Sequence, residues 1–378
     1  MRVFLALLLT SGLFIQSAAA QAPAKTLRIY YIDTEGGQST LFVAPSGETL
    51  LVDVGNPGGR DTDRIMLAIE DAGVKQIDHL VLTHYHGDHV GGLAEFAKRV
   101  PIKRFYDHGP AAEGDRAGGQ GFMEQYAQIH ASGVRTIVKP GDKIGLAGLD
   151  ITVVSSAGQV LKSNLPGAGR PNPACAGFAE KDLSKVFDPD NAYSVGFVLV
   201  FGRFRTIDLG DLTWNHEGQL MCPANRLGTV DLYLTSHHGI NQSNSSALVH
   251  GLRPRVAIMN NGTRKGGSLE TFQALESSPG LEELWQLHWS HNVMTEHNAP
   301  GAFIANIEDN ATLANILTAP PPAPRGSGAP AGGGRGGGGR GNAPPPHTPA
   351  YWIKVTAQQD GSFTVTNARN GFSKTYGK

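Results

Sequence analysis

The stretch Val81–Gly92, "VLTHYHGDHVGG", sets His84, His86, Asp88 and His89 directly behind an apolar run. Imidazoles and carboxylates crowded this densely are costly to hold together unless a positive centre lies among them. "HLVLT" (79–83) reads as a buried strand and "HVGGLAEFAKR" (89–99) as a following helix, so the four side chains fall on the connection between them. Metal ligation wants this arrangement, because a strand end fixes the backbone while closely spaced side chains converge on one point. His84 and His86 can share one ion, and Asp88 and His89 can turn to a second, as in two-metal hydrolytic sites. Surface loop histidines are the plainer alternative, and four candidate ligands in this order weigh against it.

Outward from this point, short β-branched runs recur: "TLRIYYID", "STLFVAP", "TLLVDVG", "LDITVVSS", "SVGFVLVFG", "FRTIDLGD" and "VDLYLTSHHG". Helical periodicity appears over 64–72, 93–99, 123–130 and 271–275. The pattern predicts sheets covered by helices, an α/β architecture with functional residues at strand ends. With 378 residues the chain can bury a large core, and a formal net charge of −1 gives no electrostatic reason to expect a stable nucleic-acid complex.

The first residues, with basic Arg2, an apolar run to Ile15 and small Ala18 and Ala20, read as a secretory signal over 1–20. The run is too short to span a bilayer, so no transmembrane segment is expected in the mature chain, and its location is expected to be periplasmic or secreted. Export makes Cys175 and Cys222 candidates for one disulfide, with two free thiols as the alternative. Residues 319–349, rich in Pro and Gly with a few Arg, are expected to be a disordered insert. Residues 350–378 read as a β-hairpin, with Asp360-Gly361 at its turn, returning to a folded body over 26–318.

"HYHGDH" after a hydrophobic strand resembles the signature of the metallo-β-lactamase superfamily, which implies a four-layered αβ/βα sandwich with the metal site at one edge of the two sheets. "IYYIDTEGGQSTLFVAPSGETLLVDVG", "FRTIDLGDLTW" and "VDLYLTSHHGINQSNS" extend the likeness over about residues 26 to 310, and are similar to the branch that contains the hydrolase-like domain of DNA-uptake competence channel proteins. The resemblance implies His84 and His86 on a first metal, Asp88, His89 and His237 on a second, and Asp211 between them. His238 is then a substrate contact or an outer neighbour. For Asp211 alone, capping the helix that "LTWNHEGQL" suggests is the alternative.

The superfamily usually supplies a third histidine to the first metal, and no histidine lies between His130 and His216. Asp190 or Asn191, in "FDPDNAYS", is the candidate replacement. Either makes the site harder and opens it to manganese as an alternative to zinc, while "DPDN" is equally turn sequence.

Two divalent cations lower the pKa of a shared water, which as metal-bound hydroxide attacks a carbonyl or phosphoryl centre, with Asp88 and Asp211 as catalytic carboxylates. The expected function is thus an exported metal-dependent hydrolase acting on phosphodiesters, with a small or nucleotide-like substrate. A β-lactam or lactone hydrolase is the alternative within the fold, and a non-catalytic binding protein the alternative outside it. Tyr85, His238, Asn241, His288 and His291 are the expected substrate contacts, with Ser243, Trp289 and Asn292 nearby.

Overall fold

The computed structural model describes residues 26–112, 121–183, 189–307 and 350–378. The expected signal over 1–20 and the Pro/Gly-rich insert over 319–349 lie outside the described residues.

The chain first lays down strands β1 (Leu27–Tyr31), β2 (Thr40–Val43), β3 (Thr49–Val52), β4 (Ile77–Val81), β5 (Ile102–Asp107) and β6 (Val134–Ile137) side by side in that order. β1 to β3 pair antiparallel and β3 to β6 parallel. Helices α1 (Arg60–Ala72), α2 (Gly87–Val90), α3 (Leu93–Arg99) and α4 (Phe122–His130) make the connections. The second sheet takes β7 (Lys143–Ile144), β8 (Asp150–Ser156), β9 (Gly196–Phe201), β10 (Phe204–Asp208), β11 (Leu232–Leu234), β12 (Val256–Met259), β13 (Glu283–His288) and β14 (Ile304–Asn306). Its helices are α5 (Pro189–Ala192), α6 (Trp214–Met221), α7 (Ser246–Leu252) and α8 (Leu269–Glu276).

The chain then returns to the first sheet: β15 (Ile353–Ala357) pairs with β1, and β16 (Phe363–Asn367) and β17 (Ser373–Tyr376) extend the edge. The terminal segment is thus a three-stranded meander, one strand more than the hairpin read from the sequence.

Among the described residues, three separate apolar clusters define four layers. Alternation along β1 sends Leu27, Ile29 and Tyr31 into the core between the sheets, where they join Phe197, Leu199 and Leu234. Tyr30 and Ile32 face the opposite way, onto Ile65 and Ile69 of α1 and Phe96 of α3. A third cluster buries Leu220, Leu248 and Phe272, from α6, α7 and α8, against the far face of the second sheet. Period-two strands between amphipathic helices can bury all their apolar faces only in such an αβ/βα stack.

One local detail differs from the sequence reading. The helix expected over 89–99 breaks into α2 and α3 at Gly91 and Gly92. A Cβ on Gly91 would lie 2.3 Å from Gly87 O, and one on Gly92 2.3 Å from Val54 O, so the break packs tightly on neighbouring backbone. Asp211 does not cap α6, whose N-cap is Thr213. Cys175 and Cys222 are joined by a disulfide.

Candidate metal centre

The carboxyl ends of β3, β4, β10 and β11 converge, and with them the side chains of Asp53, His84, His86, Asp88, His89, Asp211, His237 and His238. Asp211 Oδ2 is the hub. His89 Nε2 lies 3.3 Å from it, His237 Nε2 3.4 Å, His238 Nε2 3.4 Å and His84 Nε2 3.8 Å. Asp88 Oδ2 stands 3.2 Å from His238 Nε2 and 3.6 Å from His89 Nε2. Asp88, His89, Asp211 and His238 each offer one ligand atom within 4.8 Å of the others, close enough to hold one ion. His84 Nε2 and His86 Nδ1 face each other at 2.9 Å beside them.

The surroundings lock these side chains. Asp53, at the end of β3, takes a left-handed backbone (φ 59) and accepts from Thr83 N at 2.8 Å and Thr83 Oγ1 at 2.6 Å. The same carboxylate meets His89 Nδ1 at 2.7 Å, which fixes the ring and turns Nε2 towards Asp211. Asp208 is held by Gln38 at 3.0 and 2.9 Å and accepts from Gly210 N at 3.0 Å, so it shapes the turn that presents Asp211. Burial pushes Asp208 up to about 6. Glu217 of α6 accepts from the backbone of Asn244 and Ser245 at 2.7 and 2.8 Å, tying down the chain that follows His237 and His238. Burial raises it to about 7.

Burial also opposes charge at the centre, but mutual attraction overrides it. His89, His237 and His238 hold Asp211 well below the usual carboxylate range. Lys265, whose Nζ pairs with Asp88 Oδ2, does the same for Asp88 together with His89 and His238. Asp211, Asp88 and Asp53 raise His89 well above the ordinary histidine value, whereas burial, His89 and His86 lower His84.

The residue types fit a divalent cation. Asp211 Oδ1 is buried without a hydrogen-bond partner among the described residues, and imidazole nitrogens face one another, His89 Nε2 and His238 Nε2 at 3.2 Å. Lone pairs aimed at a common point are the donor set of a metal, not of a hydrogen-bond network.

Several sequence expectations are corrected. His238, expected at the substrate or in an outer position, joins Asp88, His89 and Asp211, while His237 meets Asp211 from beside Asn191, whose Nδ2 is 3.5 Å away. Both histidines take left-handed backbone (φ 52 and 54), and both rings reach Asp211. Asp190 is not free to be a ligand. Its Oδ2 accepts from Tyr85 N at 2.6 Å and its Oδ1 from Ala112 N at 2.8 Å, bracing the loop between His84 and His86 from behind. Asn191 is buried and keeps Oδ1 without a partner among the described residues.

Tyr85 points into the core, donating to Gly109 O at 2.7 Å and lying on His108, because it alternates with the two histidines that flank it. His288 is buried and bound to Asp33 Oδ1 at 2.7 Å. Asn241 Nδ2 donates to Glu270 at 3.1 Å, while His291 lines a cleft with Leu269, Val293 and Met294. Sequence reasoning assigned no role to Asp53, Thr83 or Lys265. The strand-end "DVG" was a usable signal for Asp53, whereas nothing in "NGTRKGG" marks Lys265.

Residues 33–158 match the family described as the metallo-beta-lactamase superfamily. These residues are about a third of the chain, and the fold around them is of the metallo-beta-lactamase type. The matched segment holds Asp53 and His84 to His89, and Asp211, His237 and His238 join them from beyond it through the second sheet. It defines the superfamily, not the competence branch within it.

Lactamase-like protein GME11357 of Pestalotiopsis microspora is 30% identical over 98 residues, 25% of this chain and 30% of that protein. Thioesterase pkgB of Emericella nidulans is 29% identical over 109 residues, 29% of this chain and 30% of that protein. Hydroxyacylglutathione hydrolase of Erwinia tasmaniensis is 30% identical over 116 residues, 31% of this chain and 37% of that protein. The chain thus spans only about a third of the length of these relatives. The metallo-beta-lactamase fold protein YhfI from Bacillus subtilis superposes with a TM-score of 0.42 at 12% identity, over 69% of this chain and 96% of that one.

Proposed function

We propose that this protein is a metal-dependent hydrolase. The observation that carries the reading is the convergence of Asp88, His89, Asp211 and His238 within 4.8 Å. These four would hold one cation, and His84, His86 and His237 would hold a second around the same Asp211 carboxylate, with Asn191 beside them. His237 then takes the place of the histidine missing upstream. Bound divalent cations, zinc or manganese, supply Lewis-acid polarisation of the substrate and acidify a water.

The chain's own groups do the rest. Asp53 holds Nδ1 of His89 so that Nε2 points inward, and Thr83 anchors Asp53. Asp88, held ionised by Lys265 and the neighbouring imidazoles, would keep its second oxygen, Oδ1, to orient the attacking water.

A phosphodiester, small or nucleotide-like, is the substrate class we favour, since two cations side by side would suit the charge of a phosphoryl group. A thioester is the second reading, supported by the names of the thioesterase and hydroxyacylglutathione hydrolase relatives. The apolar amino-terminal run and the Cys175–Cys222 disulfide support export to the periplasm or beyond. Among the described residues no helix is long and apolar enough to cross a membrane.

The test is turnover of a chromogenic phosphodiester and a chromogenic thioester by zinc- or manganese-loaded protein. Metal-dependent hydrolysis of either, abolished by chelator and by Asp211→Ala, is expected. Folded, loaded protein inert on both would contradict the reading.

A further inference from the structure

We propose that Lys265 reads the substrate's charge: its ammonium, set at the mouth of the centre on Asp88, receives an oxyanion of the substrate next to the scissile bond. The inference rests on the metal-dependent reading above and narrows its substrate to an anionic one.

The position of Lys265 is built, not incidental. Gly262 N donates to Lys265 O at 2.8 Å, closing a tight turn after β12 that aims the side chain across the site. Its stem passes over Gly36, in the turn between β1 and β2. A Cβ at Gly36 would stand 2.9 Å from Lys265 Cβ and 2.9 Å from Gly262 N, closer than side chains pack, and Gly36 also takes φ +85. A glycine is therefore what lets the lysine reach the centre. At the far end Nζ pairs with Asp88 Oδ2, and the side chain remains 43% exposed, so the ammonium meets both the cluster and incoming solute.

The oxygen that Lys265 holds is also the one nearest His238 and His89, and is therefore the oxygen a cation held by those residues would take. An ammonium on a four-carbon stem then turns to the nearest remaining negative charge. With metal in place that charge is the substrate's, whether phosphoryl or carboxylate oxygen. A neutral ester gains nothing from the lysine.

The experiment compares wild-type full chain with Lys265→Met and Lys265→Arg. Zinc binding is measured by calorimetry, followed by titration of inorganic phosphate and, separately, acetate into the zinc-loaded proteins. The expected result has three parts: zinc bound at least as tightly by Lys265→Met, anion affinity lowered about tenfold, and most of it restored by Lys265→Arg. The anion bound more tightly by the wild type identifies phosphoryl or carboxylate as the group read. Unchanged anion affinity in loaded Lys265→Met would overturn the inference alone. Loss of zinc in that variant would also overturn it, reducing Lys265 to a positioning residue for Asp88. Failure of the wild type to bind zinc would remove the metal reading and this inference together.

Discussion

Among the described residues, two groups bring carboxylates and histidine close enough to share an ion: Asp88, His89, Asp211 and His238, and also Asp33, Glu35 and His288. The second carries its own cation. Arg64 of α1 lies 2.9 Å from Asp33 Oδ2 and 3.0 Å from Glu35 Oε1, and His288 closes the remaining Asp33 oxygen. The first has four imidazoles turned on one carboxylate, and its lysine reaches only Asp88 at the rim. Residue types alone therefore do not mark a metal centre. What marks it is a buried carboxylate, Asp211, faced by imidazole nitrogens where Asp33 is faced by a guanidinium.

The sharpest way to break the comparison is to remove the hub. Asp211→Ala is expected to lower activity to that of chelated protein, measured as hydrolysis of whichever chromogenic ester the wild type turns over, with the fold retained by circular dichroism. Arg64→Met should leave Asp33 buried without its cation. It should cost about 3–5 kcal/mol of stability in denaturant titration while leaving zinc content unchanged. A wild-type midpoint would show that Arg64 is not the balancing charge.

Glu217 tests how firmly the His237–His238 chain is held. Its folded pKa of about 7 lies above the ordinary value, so the protonated acid is favoured by the fold. Its contribution to stability is full below the unfolded pKa and declines as pH rises to about 7. Glu217→Gln removes that slope, worth up to about 3 kcal/mol. Relative to wild type, the melting temperature of the metal-free variant should therefore rise from pH 5 to pH 8, and a constant difference would contradict the assignment. The smallest effect is expected from Asp53→Asn, which frees the His89 ring and should weaken zinc binding about 10- to 100-fold in competition with a chelating dye.

The fold was legible because its signals are local. Period-two runs such as "RIYYI" and the imidazole cluster behind β4 say which faces are buried and where the chain turns. The candidate centre was legible in its first half, His84 to His89, for the same reason. The second half depends on backbone that leaves regular structure. The left-handed conformations of His237 and His238 accompany two rings that both reach Asp211, and Asp190 is drawn to the amides of Tyr85 and Ala112, which only the folded chain brings to it. Lys265 reaches Asp88 across 177 positions, beyond any sequence period.

The most direct test of the difference between the two clusters is metal content after dialysis of zinc-loaded wild type, Asp211→Ala and Asp33→Asn, by atomic absorption. The account predicts zinc retained by wild type and Asp33→Asn and lost from Asp211→Ala. Zinc kept by Asp211→Ala and lost from Asp33→Asn would place the metal in the other cluster and contradict it.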